Sequence, residues 1–236
     1  MPKKQVVVII HGIGQHKMGY SREFQKELEL KNVEYVEICY SHLLDNGIIA
    51  YNQNEQNNKK LGYDKLREIF NLSLYDAISY GYVKRQILSY INSLVPKYEN
   101  AEITVIAHSL GGIVAYDWLH HYKRTIKNFF TLGSPLALKM VTRKHQLDLS
   151  YWMNIVGADD IIGKIIKVYP SDMLQVGRDY IAPIGTVLQR KTPFSHTAYW
   201  TDGNVVKPIR KKLEMDSSGS FNEKKYNKYV DGLWKV

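Results

Sequence analysis

The sequence predicts an α/β fold with a mainly parallel central sheet and helices on both faces, and three observations carry that expectation. Residues 5–10 (QVVVII) are dominated by β-branched side chains, the composition of a strand buried on both faces of a parallel sheet. Residues 103–116 (ITVIAHSLGGIVAY) begin as another buried strand, stop on Ser109 between small residues and restart at once as a helix. Around these stretches, helix-period and strand-period segments alternate, as βαβ units require.

The strand–serine–helix stretch has the sequence form of a nucleophile elbow. So tight a turn forces Ser109 into a strained backbone conformation, which a scaffold keeps only where something depends on it. Bulk two positions before or after the serine would collide across the turn, and the chain has Ala107 and Gly111 there. The usual pattern has glycine at the first of these, so Ala107 departs from it by one methyl group. An ordinary strand–turn–helix connection is the plainer reading of the same residues.

A length of 236 residues fits one domain better than two, and a 44% hydrophobic share is ample for its core. The single cysteine, Cys39, permits no internal disulfide, and its apolar neighbours fit a buried, inert thiol. Lys3 and Lys4 precede only residues 6–10 of apolar sequence, too short for a signal h-region or a membrane span, so a cytoplasmic location is expected. The net charge of +9 raises nucleic acid or an anionic membrane as partners. However, the basic residues are spread out, with short clusters at 207–212 and 224–228, and no zinc-ligand spacing, RNP-like strand or Walker loop accompanies them. A solvated basic surface is the default: no nucleic acid is expected, and peripheral contact with an anionic membrane stays open.

In chain order, the first strand ends in His11–Gly12–Ile13–Gly14, a turn whose glycines can aim a backbone N–H into a cleft. A helix over 21–30 and a strand over 33–40 follow. Residues 41–73 form an insertion containing a wholly polar run (52–60, NQNEQNNKK) and a short amphipathic helix over 64–70; it is a candidate cap or a mobile loop. A tyrosine-rich helix over 74–95 ends at Pro96, with Ile78, Tyr82, Ile87, Ile91 and Leu94 as its core stripe. After the elbow come a helix over 111–122, strands over 128–132 and 151–156, and weaker strand signals at 165–169 and 175–181. The domain is expected to span 1–213, with its final helix within 205–213. Residues 216–220 (DSSGS) read as a flexible linker to a basic, aromatic tail, so 214–236 form a linker and tail.

A serine hydroxyl is a poor nucleophile at neutral pH; it needs a base, and the base needs an orienting acid. Of the eight histidines, His11 and His108 sit beside backbone turns, His120 and His121 end a helix, and His16, His42 and His145 lie in polar loops. His196 instead follows the last strand signal and lies downstream of a plausible acid, in the chain order serine, acid, histidine. Asp160 is the preferred acid, because the strand over 151–156 would deliver it to the cleft and Ile161 and Ile162 would anchor it. Asp159 is the runner-up, and Asp148, Asp172 and Asp179 are more distant choices.

Together, HGIG (11–14), AHSLGG (107–112), TLGSPL (131–136), WMNIVGADD (152–160) and SHTAYW (195–200) resemble the α/β-hydrolase superfamily on its lipase/esterase side, over about residues 5–213. The insertion and the tail lie outside the resemblance. It implies acyl transfer at a carboxylic ester, with Ser109 as nucleophile, His196 as general acid–base and Asp160 as its orienting partner. It also implies an oxyanion hole made by the backbone N–H groups of Ile13 and Leu110, and an acyl-ester or lipid-like substrate with no metal or organic cofactor. A thioesterase, amidase or phospholipase would use the same machinery, and a non-catalytic binding or scaffold protein is the alternative from another class.

Overall fold

The structure is a computed structural model that describes residues 4–12, 17–44, 65–95, 101–136, 147–160, 178–190 and 193–233. Its strands are β1 (Lys4–Ile10), β2 (Val33–Ile38), β3 (Ala101–His108), β4 (Ile126–Leu132), β5 (Leu149–Gly157) and β6 (Arg178–Ala182). They form one sheet in the order β2-β1-β3-β4-β5-β6, with every neighbouring pair parallel. Parallel neighbours need crossovers, and among the described residues helices lie in three of them: α1 (Arg22–Leu28) between β1 and β2, α2 (Lys65–Leu94) between β2 and β3, and α3 (Leu110–His121) between β3 and β4; α4 (Val187–Arg190), α5 (Gly203–Ser217) and α6 (Glu223–Gly232) follow β6.

Both faces of the sheet are covered, which is why the central strands read as continuous apolar runs rather than alternating ones. Alternate residues of β1 point opposite ways. Val6, Val8 and Ile10 join Val105, Ala107, Val114 and Trp118 in a core under α2 and α3. Val7 and Ile9 join Ile106, Phe130, Met153 and Ile209 in a second core under α1, α5 and α6.

Three sequence expectations change. The helices expected over 64–70 and 74–95 are one 30-residue helix, α2, about 45 Å long at 1.5 Å per residue. Residues 71–73 (Asn-Leu-Ser) contain neither glycine nor proline, so nothing stops the helix between them. Within its described side chains, the buried stripe is Tyr80, Val83, Ile87 and Ile91, continued by Val95 just past its end, whereas Tyr82 and Leu94 are exposed. The expected stripe contained a five-residue step from Tyr82 to Ile87, which a 3.6-residue period cannot keep on one face. Ile78, residues 45–64 of the candidate cap (41–73) and the weak strand signal at 165–169 lie outside the residues or side chains described.

The third change concerns 216–220. Helix α5 runs through Asp216 and Ser217, and the following turn is a helix C-cap rather than a flexible linker. Gly219 has φ 65°, Ser220 N–H donates to Met215 O (2.9 Å), and Gly219 N–H donates to Asp216 O (3.1 Å). That 6→1 and 5→2 pair is a Schellman motif, which explains the glycine. The tail then forms α6, capped by the Asn222 side chain, and docks on the sheet through fully buried Tyr226 and Val230. Among the described residues, no helix is long and apolar enough to cross a membrane.

Candidate active site

The C-terminal ends of β1, β3, β4 and β5 meet the segment 193–200, and there the chain gathers its reactive side chains. Strand β3 ends at His108, and α3 begins at Leu110. Ser109 between them has φ 54° and ψ −128°, a region that a non-glycine residue occupies at a cost of order 1–3 kcal/mol. Its N–H donates to Leu132 O on β4 (2.9 Å), tying the strained turn to the neighbouring strand. The close approach of α3 to β1 explains Gly111. A Cβ there would fall inside contact distance of His11 O and 2.7 Å from Ile10 O, both backbone atoms. Gly12 is constrained similarly from the other side, where a Cβ would lie 2.5 Å from Ser109 Cβ.

His196 lies within a 3-10 helix, Pro193–Trp200, rather than in an open loop. Its Nε2 is 2.8 Å from Ser109 Oγ, and its Nδ1 is 2.9 Å from Asp160 Oδ2. A carboxylate oxygen can only accept, so Nδ1 carries the proton and Nε2 is left to accept from the serine hydroxyl. All three residues are buried: Ser109 is 2% exposed, His196 4% and Asp160 1%. Asp160 sits in the turn after β5, its N–H donating to Gly157 O (3.1 Å).

The other candidate acids lie elsewhere. Asp159 is exposed, Asp148 accepts from Thr125 Oγ1, Asp179 accepts from Asn154 Nδ2 (2.9 Å), and Asp172 is outside the described residues. His16 and His145 also lie outside them, as does Ile13, one of the two expected oxyanion donors. Leu110, the other, is the first residue of α3, in the turn whose N–H groups have no partner four residues back. The positive end of the helix dipole faces the same point. His11 organises the neighbouring turn: its Nδ1 donates to Gly12 O (2.7 Å), its Nε2 accepts from Tyr40 N–H (3.1 Å), and its ring stacks on Tyr40.

Two residues around the site escaped the sequence reading. His108 Nε2 donates to the backbone oxygen of His196 (2.7 Å), so the residue before the serine braces the segment carrying the imidazole. Tyr199 Oη donates to Asp160 Oδ2 (2.6 Å) and accepts from Gly157 N–H (2.7 Å). Burial above all, then the Asp160 charge and the hydrogen bond to it, push this phenol well above its ordinary value. A signal for it existed: in a 3-10 helix residues three apart eclipse, and Tyr199 follows His196 by three. Trp200 completes an aromatic wall against Tyr20, Phe24 and His108. Among the described residues, no cluster of three or more His, Cys, Asp or Glu is placed to hold a metal ion.

Solved structures resemble this chain at low sequence identity. A dienelactone hydrolase from Anabaena variabilis is 15% identical, with a TM-score of 0.51 over 89% of this chain and 85% of that one. A lipase-esterase related protein from Clostridium acetobutylicum is 13% identical, with a TM-score of 0.46 over 90% and 94%. The first supports an α/β-hydrolase-like fold; at such identities the likeness extends to the fold alone. Among curated protein sequences, none matches the chain. The family model described as "PGAP1-like alpha/beta domain" matches residues 21–156, more than half of the chain and including the elbow. The chain therefore belongs to the PGAP1-like alpha/beta domain family.

Proposed function

We propose that the protein is a serine hydrolase that cleaves a carboxylic ester through an acyl-enzyme intermediate. One observation carries the reading: a buried, continuous path of hydrogen bonds from Ser109 Oγ through His196 to Asp160, at a serine held with φ 54°. Neither the strain nor the burial of three polar groups helps the fold, and such groups at a turn between strand and helix are arranged for nucleophilic attack.

In the proposed sequence Ser109 Oγ attacks the ester carbonyl carbon as its proton passes to His196 Nε2. The imidazolium is held by Asp160 through Nδ1–H, and the tetrahedral oxyanion lies toward the Leu110 N–H at the start of α3. Collapse expels the alcohol, which takes the proton from Nε2. Water then repeats the steps on the acyl-enzyme, with His196 again the base, and releases the acid. No step requires a metal or organic cofactor. The oxyanion role of the Ile13 N–H belongs to the same proposal. The acyl-ester or lipid-like substrate and cytoplasmic action also remain part of it.

Hydrolysis of a short p-nitrophenyl ester by the wild type and by Ser109→Ala tests the reading. The variant should keep its melting temperature within a few degrees and lose at least about 10³-fold in kcat/KM. A folded Ser109→Ala variant with full activity would refute it, as would a wild type inert to esters, thioesters and amides alike.

A further inference from the structure

We propose that Tyr199 is a positioning residue for this reaction, acting through Asp160; the proposal rests on the serine-hydrolase reading above. The phenol is fully buried, and its hydroxyl bridges two groups that the chemistry needs fixed. It accepts from the N–H of Gly157, the last residue of β5, at 2.7 Å, and donates to Asp160 Oδ2 at 2.6 Å. The same Oδ2 receives His196 Nδ1 at 2.9 Å. One carboxylate oxygen therefore takes two donors from a single 3-10 helix, and the phenol pins that oxygen to the end of the sheet. Gly133 makes room for the arrangement. It has φ 51°, and a Cβ there would fall 2.7 Å from Tyr199 Oη and 2.8 Å from Asp160 Oδ2.

Two consequences follow. By fixing the carboxylate, Tyr199 keeps the imidazole aimed at Ser109 Oγ. By donating to Oδ2, it also draws charge from the oxygen that holds the imidazolium and so weakens that hold. Loss of the hydroxyl should misalign the base while making Asp160 the stronger partner of the charged imidazole. The burial and neighbouring charge that raise the phenol's pKa keep it a donor at working pH. Among the described residues, titratable groups beside the pair include His108, its ring 4.9 Å from that of His196, and Asp202, whose charge acts on Tyr199. The variants below leave both in place.

The test is the pH profile of kcat/KM on a soluble ester for Tyr199→Phe and for 3-fluorotyrosine in place of Tyr199. In Tyr199→Phe, kcat should fall about tenfold with KM within about twofold, and the acid limb should move up by about half a pH unit. The fluorinated phenol is a stronger donor of nearly the same shape, so its acid limb should move down. Opposite displacements are not expected of a residue that merely fills space. Acid limbs that coincide with the wild type in both variants overturn the proposal, whatever happens to the melting temperature. Should Tyr199→Phe fail to fold, the direction of the fluorotyrosine shift decides alone. The Ser109→Ala control separates the two levels: activity surviving there refutes the hydrolase reading itself, whereas a dead control with unmoved limbs refutes only the role of Tyr199.

Discussion

Two glycines in helices, each replaced by alanine, should change stability in opposite directions. In a bare helix, alanine is favoured over glycine by about 0.5–1 kcal/mol because it restricts the unfolded chain. Gly81 in α2 meets that case, since an added Cβ finds nothing within 4 Å. Gly81→Ala should therefore raise stability by about 0.5–1 kcal/mol. Gly111 has the same helical backbone but lies against β1. Its Cβ would sit 2.7 Å from Ile10 O, about 0.7 Å short of an ordinary 3.4 Å contact, and closer still to His11 O. Neither oxygen can swing aside as a side chain could. Overpacking of this kind costs about 1–3 kcal/mol, which outweighs the propensity gain and leaves a net loss of about 1–2 kcal/mol. The relief available is a shift of α3 away from the His11–Gly12 turn, which moves Ser109 and Leu110 relative to that turn. Misplacement approaching 1 Å can lower turnover about 10²-fold. Urea midpoints and ester turnover for the two variants measure both effects. If Gly111→Ala were as stabilising as Gly81→Ala, or kept full turnover, the close-approach argument for the elbow would be wrong.

Alkaline pH should destabilise the fold through its buried tyrosines. Burial raises Tyr199 and Tyr226 well above the ordinary phenol value. The unfolded chain therefore releases these protons first, so their contribution is whole below about pH 10 and is lost as pH rises toward the folded values. At pH 11 the loss is about 1.4 kcal/mol for each, read from urea midpoints at pH 9 and 11, and Tyr226→Phe should remove about 1.4 kcal/mol of that decline; an unchanged midpoint would refute it. Lys212 is buried with its Nζ 2.6 Å from Asp216 Oδ2, 2.8 Å from Asn128 Oδ1 and 3.8 Å from the Phe221 ring centroid. Lys212→Met takes the nearest cation from the buried Asp216 carboxylate, which keeps only Asn128 Nδ2 (2.8 Å) and the more distant Lys127 Nζ (3.7 Å), and should lower stability by about 3 kcal/mol, whereas Lys212→Met/Asp216→Leu should lose less. A neutral single variant would contradict that view of the network.

Much of the fold was legible because the central strands β1, β3, β4 and β5 are mostly buried and read as near-continuous apolar runs. Residues 5–10 and 103–108 needed no partner information to be read as strands. The elbow was legible for the same reason, since only a close approach of backbones demands Ala107 and Gly111 around a serine. Four features were not. Helix α2 runs unbroken through Asn71-Leu72-Ser73, where two polar residues of modest helix propensity were read as a gap; further along, Tyr80 Oη and Lys84 Nζ both lie 2.8 Å from buried Asp117 of α3. The DSSGS turn has a linker's composition, and only its 6→1 and 5→2 hydrogen bonds reveal a helix cap. Asp159 and Asp160 are adjacent and chemically identical, so the choice between them rested on Ile161 and Ile162. The structure buries Asp160 against His196 and leaves Asp159 exposed. Tyr199 was missed because its role depends on a 3-10 helix that the sequence reading took for a loop.

The central claim is that Ser109 is an activated nucleophile, and covalent capture tests it most directly. The wild type, Ser109→Ala and His196→Ala would be incubated with a fluorophosphonate, followed by intact-mass measurement and peptide mapping. The account predicts a single adduct on Ser109 in the wild type, none in Ser109→Ala, and labelling slowed by at least about 10²-fold in His196→Ala. An unlabelled wild type, or an adduct that persists in Ser109→Ala, would contradict it.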